Sequence, residues 1–251
     1  RRLIDPRPGD NNRAIRFQEL IGAKNKFTWN DLHDLKFDMK LSDKSPLAKC
    51  TAPFFNLDEN KYPDLKEAIG ILKSWNRIFD IHEHAPTLFG LVIKDVFEKH
   101  DFDDANFVLG FEAPEQEWAD ALRRACDTLK AHYGTVNVEW GTVHRNMRGN
   151  VDLPLRGFAD MLSPTYPRLV PGGKLRFKPH YGDTYTMMAE FNKNGVQRLE
   201  ALQPAGNSLR TDDKHYNDQI ELFSRQALRP LSLKKEDVMK KAERIYHPQT
   251  P

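Results

Sequence analysis

The apolar residues of this chain repeat at helical spacing as far as Gly134, and the strand-like alternation comes only near its end, an order that argues for α+β and against regular strand–helix alternation. The clearest helix covers 114–133: Pro114 suits a first turn, Gly134 the position just past the end, and Trp118, Leu122, Ala125 and Leu129 make one stripe. Arg13 to Ile21 sets Ala14, Phe17, Leu20 and Ile21 on or near one face, with Gly22 as a stop. Thr28 and Asp31 have the spacing of a capping box, with Asp where Glu is usual, ahead of a helix over 28–41. Residues 42–62 read as a connector, and helices are expected again over 64–76 and 86–98. Beyond Gly134, DTYTMMAEF (183–191) and VQRLEALQ (196–203) read as strands joined through Lys193-Asn194-Gly195. Asn-Gly supplies the positive-φ pair of a type I′ turn, so an antiparallel hairpin is expected. Short helices over about 213–226 and 234–246 close the chain. The expected division is a mainly helical segment, 1–135, and a strand-containing segment, 136–251.

Composition excludes function classes rather than selecting one. Hydrophobic residues are 39% and charged residues 29% of 251, which fits neither a membrane protein nor a disordered tail. No apolar run approaches the roughly 20 residues needed to span a bilayer. With 38 basic against 36 acidic residues there is no general field for nucleic acid, and the pairs Lys234-Lys235 and Lys240-Lys241 do not supply one. Cys50 and Cys126 are read as two free thiols in preference to a disulfide; no CxxC and no Cys/His cluster at zinc spacing is present. The first residue is Arg1, with no signal peptide before it, so the expectation is a chain that begins partway through a longer product.

No local motif declares a catalytic centre. His82-Glu83-His84 looks like a metal fragment, but no third ligand is placed nearby, and a polar loop is the simpler reading. His33 and Asp34 on the 28–41 helix read as solvent-facing. There is no GxSxG, and Gly172-Gly173-Lys174 lacks the rest of a phosphate loop. The stretch WGTVHRNMRG (140–149) gathers Trp140, His144 and Arg145 with a second arginine, either a working site or scaffold.

Taken in order, the motifs resemble one family. WGTVHRNMRG and the following VDLPLRGFADML resemble a segment of the penicillin amidase family, especially the long-chain acylase branch typified by aculeacin and acyl-homoserine-lactone acylases. GDTYTMMAEFNKNG, opening on Gly182 and Asp183, is similar to the family's Gly-Asp-Ser/Thr strand and hairpin. PAGNS, with Gly206 and Ser208, resembles its Pro-x-Gly-x-Ser loop, and DKHYNDQIELF, with His215, Tyr216, Asp218 and Gln219, its His-Tyr-x-Asp-Gln helix. RPLSLKKEDVMKKAERIYHP resembles the family's C-terminal end; NNRAIRFQELI resembles its Arg-containing helix and LKSWNRIFD its Leu-x-x-Trp-Asp segment. Asn76 stands where the family has aspartate, and Asn207 where the loop usually has glutamine; neither position is catalytic, so the departures bear on packing.

The resemblance implies an N-terminal nucleophile hydrolase, whose precursor cuts itself into α and β subunits. The new β N-terminal serine attacks an amide with its own amine as base, and a backbone amide and an asparagine hold the oxyanion. All motifs here match the later β subunit, so nucleophile, histidine and oxyanion asparagine are expected upstream of Arg1, with no catalytic residue in this chain. Arg13 matches the family arginine near the active-site cleft, where it would support the catalytic asparagine region. The remaining matched residues, His144 included, become structural. The implied fold is a largely helical first half followed by strands that complete an α/β/β/α core. Implied partners are the N-terminal part of the β subunit and the α subunit of the same precursor, with a small acyl amide as substrate. No redox or organic cofactor is implied, calcium stays open, and the implied compartment is periplasmic or extracellular. The alternative is a non-catalytic binding module on the same scaffold. In the hairpin, Tyr185, Met187, Ala189 and Phe191 share a side expected to face a partner, opposite Thr184, Thr186, Met188 and Glu190.

Overall fold

The computed structural model describes residues 10–102, 110–243 and 245. Helix α1 (Asn12–Gly22) starts where the Asn11 side chain accepts the Ala14 N–H, and α2 (Trp29–Lys36) starts with the expected capping box, Thr28 and Asp31 each bonding the other's backbone. Helix α2 ends at Lys36, short of the expected 41. The stretch read as a connector contains α3 (Pro46–Cys50), capped by Ser45, and α4 (Ala52–Phe55). A 3-10 turn (Pro63–Leu65) leads into α5 (Lys66–Lys73), followed by α6 (Ala85–His100) and α7 (Glu115–Tyr133), which Gly134 ends in the left-handed conformation. Trp118, Leu122, Ala125 and Leu129 are all buried, as their spacing requires.

These helices close over an aromatic core. Phe89 is fully buried, with ring centroids of Phe55, Trp75, Phe79 and Phe158 at 5.8, 5.6, 5.6 and 5.4 Å. The core runs from Leu41 to Phe177 and so draws on both sides of residue 135.

After α7 the elements are short: α8 (Trp140–Val143), then antiparallel β1 (Arg145–Arg148) with β2 (Val151–Pro154), and antiparallel β3 (Thr165–Leu169) with β4 (Phe177–Gly182). The expected hairpin is β5 (Thr186–Asn192) and β6 (Gly195–Leu202), extended by β7 (Arg229–Pro230) in the order β5-β6-β7. The chain is therefore α+β, with small antiparallel sheets among the described residues. A second, smaller core of Phe37, Leu155, Leu202 and Phe223 lies between α2, β2, β6 and α9 (Ile220–Ser224). Helix α9 replaces the helix expected over 213–226, because residues before it are spent on turns built by Asp213 and Asn217. The last helix, α10, is Lys235–Lys241; part of the expected 234–246 helix lies outside the described residues.

One detail of the hairpin differs from expectation. Gly195 has φ 109°, but Asn194 is not among the described residues with positive φ, so the turn is not type I′. Instead the Asn192 side chain accepts the Asn194 N–H at 2.7 Å, an Asx turn that sets the loop without a second left-handed residue. In the middle of β5 the two faces differ: Thr186 and Met188 are buried, whereas Tyr185, Met187 and Phe191 are 53%, 55% and 68% exposed; Thr184 and Glu190, on the same side as Thr186, are exposed as well. Thr186 and Met188 thus face this chain's own interior, and Tyr185, Met187 and Phe191 are left exposed among the described residues. Both cysteines are free thiols. No helix among the described residues is long and apolar enough to cross a membrane.

Candidate functional site

The residues singled out from sequence fall into four groups. The first lies at the start of α1. Asp160, fully buried with φ 56°, accepts the Asn12 N–H at 2.8 Å and the Arg13 Nε–H at 3.2 Å. Burial raises the Asp160 pKa against the lowering effect of those donors. Arg13 itself stays partly exposed. Sequence reading found Arg13 and missed its anchor, although Asp160 sits within the quoted RGFADML; an Asp in a loop carries no periodic signal.

The second group joins α2 to the β4–β5 corner. Lys36 Nζ bonds both Asp183 carboxylate oxygens, at 2.9 and 2.8 Å, and the Ser163 hydroxyl donates to the same carboxylate at 2.6 Å. Gly182 precedes it because the chain passes against the Pro164 carbonyl, where a Cβ would overlap the oxygen. The Gly-Asp pair is thus a corner brace.

The third group closes the 206–219 loop onto β1. The 206–208 backbone lies against the 215–218 turn, and a Cβ on Gly206 would collide with the His215 carbonyl oxygen. The Ser208 N–H donates to that same carbonyl at 3.1 Å, and Arg148 Nη2 donates to the Ser208 carbonyl at 2.7 Å with its guanidinium 4.3 Å from the Tyr216 ring centre. Gln219 is buried, and its side-chain oxygen accepts the Gln203 N–H at 3.0 Å. Both nitrogens of the His215 ring are engaged, Nδ1 with Asp218 at 2.7 Å and Nε2 with Glu243 at 3.3 Å, and the Asp218 bond leads in raising its pKa. The ring therefore presents no free nitrogen to Ser208, and no serine–histidine dyad forms there.

Residues 140–149 form a fourth group, tied by hydrogen bonds into the surrounding chain. Trp140 is fully buried and donates to the Gly157 carbonyl at 3.0 Å; His144, also buried, stacks on it at 4.6 Å and bonds the Leu155 carbonyl through Nδ1 at 3.0 Å. Desolvation pushes the His144 pKa down to about 3, so it is neutral at physiological pH. Arg145 binds Asp152 and the Gly141 carbonyl, both at 2.6 Å. His33, read as solvent-facing, instead bonds the Gln226 carbonyl at 2.7 Å, because α2 packs against the loop after α9. His82 meets Glu139 at 3.4 Å, and no set of three His, Cys, Asp or Glu among the described residues is placed to hold a metal.

The penicillin amidase family model matches residues 4–240. Among solved structures, a thermostable penicillin G acylase from Alcaligenes faecalis is similar over 100% of this chain and 57% of that chain, at 13% identity and a TM-score of 0.46. The chain thus spans less than two thirds of the length of the acylase it matches.

Proposed function

This chain belongs to the penicillin amidase family, and on that premise we propose that it is the C-terminal portion of an acylase β subunit, from the branch of aculeacin and acyl-homoserine-lactone acylases. The observation that carries the reading is the hairpin: among the described residues β5 pairs with β6 alone, and its Tyr185, Met187 and Phe191 are exposed. An edge with unpaired backbone groups beside exposed apolar side chains is built to be completed. The matched motif residues agree with the same reading, since they brace loops within the chain.

In the proposed parent, an N-terminal serine supplied by the preceding part of the β subunit attacks the carbonyl carbon of a hydrophobic acyl amide. Its α-amine takes the hydroxyl proton, the C–N bond breaks with proton return to the leaving amine, and water releases the acyl group. This chemistry needs no redox or organic cofactor. Arg13 supports the oxyanion asparagine region through charge-assisted hydrogen bonds. The partners are the rest of the β subunit and the α subunit, and the compartment is periplasmic or extracellular.

The test compares the purified 251-residue chain with the protein encoded by its whole reading frame, on acyl-homoserine lactones and penicillins. The whole protein is expected to turn over, and the chain alone to fall more than about a thousandfold below it. Turnover by the chain that survives repurification overturns the assignment of the nucleophile elsewhere. A whole protein that binds acyl amides without cleaving them replaces the acylase with a binding module.

A further inference from the structure

We infer that Asn12 and Asp160 form a clamp that fixes the direction of the Arg13 guanidinium, which makes both of them positioning residues for the amide hydrolysis proposed above. The inference rests on that reading for the role of Arg13; the clamp itself rests on geometry. The Asn12 side chain is fully buried and satisfied on every side: Nδ2 donates to the carbonyls of Asp160 at 3.0 Å and Lys40 at 3.2 Å, and Oδ1 accepts the Ser42 N–H at 2.9 Å. One amide therefore ties the start of α1 to the 40–42 segment and to the chain at Asp160. Asp160 completes the tie, with Oδ2 on the Asn12 N–H and Oδ1 on Arg13 Nε.

The bond to Arg13 is made through Nε alone. The terminal amino groups of Arg13 have no hydrogen-bond partner among the described residues, and its side chain is 42% exposed while that of Asp160 is 0% exposed. A guanidinium held at Nε keeps its plane and points its outer donors away from Asp160. Stability alone does not account for the arrangement. A buried carboxylate loses hydration that an exposed ion pair would keep, and Asp160 also occupies the left-handed backbone region. The tie to Asn12 offsets part of these costs, and the bond to Arg13 Nε adds a fixed direction for the guanidinium.

Asp160→Asn separates direction from folding. Asn suits the left-handed region, is isosteric, and can still accept the Asn12 N–H. Its amide NH2 then faces the Arg13 Nε–H, donor against donor, and the clamp on Arg13 is lost. The experiment measures kcat and KM for amide hydrolysis by the whole protein carrying D160N, R13A or both. Each single variant is expected to lower kcat by up to about a hundredfold with KM held within about threefold. The double variant is expected to be no worse than R13A, because the two residues act as one unit. Losses that multiply in the double variant, or a single variant with wild-type kcat, overturn the clamp. A wild-type protein without turnover overturns the acylase reading instead, so the two failures are distinguishable. Should D160N fail to fold, Asn12→Ser serves in its place: Asn11 still caps α1, but the shorter side chain cannot bridge to 160 and 42, and it should cost kcat in the wild type and nothing further beside R13A.

Discussion

The helical core and the 182–241 region are held together by different means. Around Phe89 the chain excludes water with stacked and edge-on rings, and nearly every large apolar side chain there is buried. In the later region the small core is Phe37, Leu155, Leu202 and Phe223, and most of the definition comes from backbone-to-side-chain bonds and glycines pressed against carbonyls. The first region can tolerate polar changes on its surface but not a hole at its centre. The second has little apolar free energy of its own, depends on a few exact approaches, and leaves one face bare.

The largest effect should come from the core. Phe89→Ala removes a ring packed against rings of α4, Phe79 and Phe158 and is expected to cost about 3–5 kcal/mol, measured as a shift in urea midpoint. If the loss is under about 1 kcal/mol, the helical region is not the stable body the comparison assumes.

Next comes Gly206→Ala, which forces a methyl group into the His215 carbonyl. Backbone cannot swing aside as a side chain does, so a loss of about 1–3 kcal/mol is expected. The comparison predicts that this loss is local. Hydrogen exchange should speed up in 203–230 while amides of α6 and α7 keep their protection.

What was legible in the sequence follows the same division. Helix α7 could be bounded because Pro114, Gly134 and the Trp118–Leu129 stripe give period, start and stop together, and Thr28 with Asp31 announced α2. The hairpin was legible from alternation. Strands β1 to β4 were not, since runs such as TYPRL and FKPHYG carry proline and charge on short ribbons that are only partly buried. Helices α3 and α4 were hidden by prolines that serve as first-turn residues rather than breakers. At the candidate site, Arg13 was reached only through family resemblance, and its partner lies 147 residues away at Asp160. No local pattern encodes a pairing over that distance.

Smaller still, and opposite in sign between the regions, are two histidine effects. In the core, His144 has its pKa depressed to about 3. The unfolded chain takes up that proton near pH 6.5 and the folded one does not. Stability from His144 is therefore present above that pH and lost as pH falls from about 6.5 toward 3. Urea midpoints at pH 7.5 and pH 5 should differ more in the wild type than in His144→Gln. In the later region, the His215 pKa is raised by Asp218 and Glu243, so its contribution is present below the unfolded value and lost as pH rises through the folded one. A histidine titration followed by NMR should place its midpoint above that of a free histidine, and Asp218→Asn should bring it down. A midpoint unmoved by D218N would mean the pair is not formed in solution.

The smallest effect on the chain itself should come from its bare face. Met187 and Phe191 are more than half exposed, on an edge strand whose other side carries the buried Met188. Replacing both with lysine removes little packing within residues 10–243 and is expected to change stability of the isolated chain by no more than about 0.5 kcal/mol. The same change sets two charges on a surface proposed to be covered, where an unpaired buried charge is strongly disfavoured. Co-expressed with the rest of its reading frame, the M187K/F191K chain should therefore fail to co-purify with the preceding segments, while the wild-type chain does so. Lysine on an edge strand is also a common way to keep sheets from pairing, so the variant alone should gain solubility. If the variant assembles as well as the wild type, the bare face is ordinary surface and the fragment reading loses its main support. If it unfolds alone, this face is already part of the chain's own core, and the contrast between the two regions is wrong.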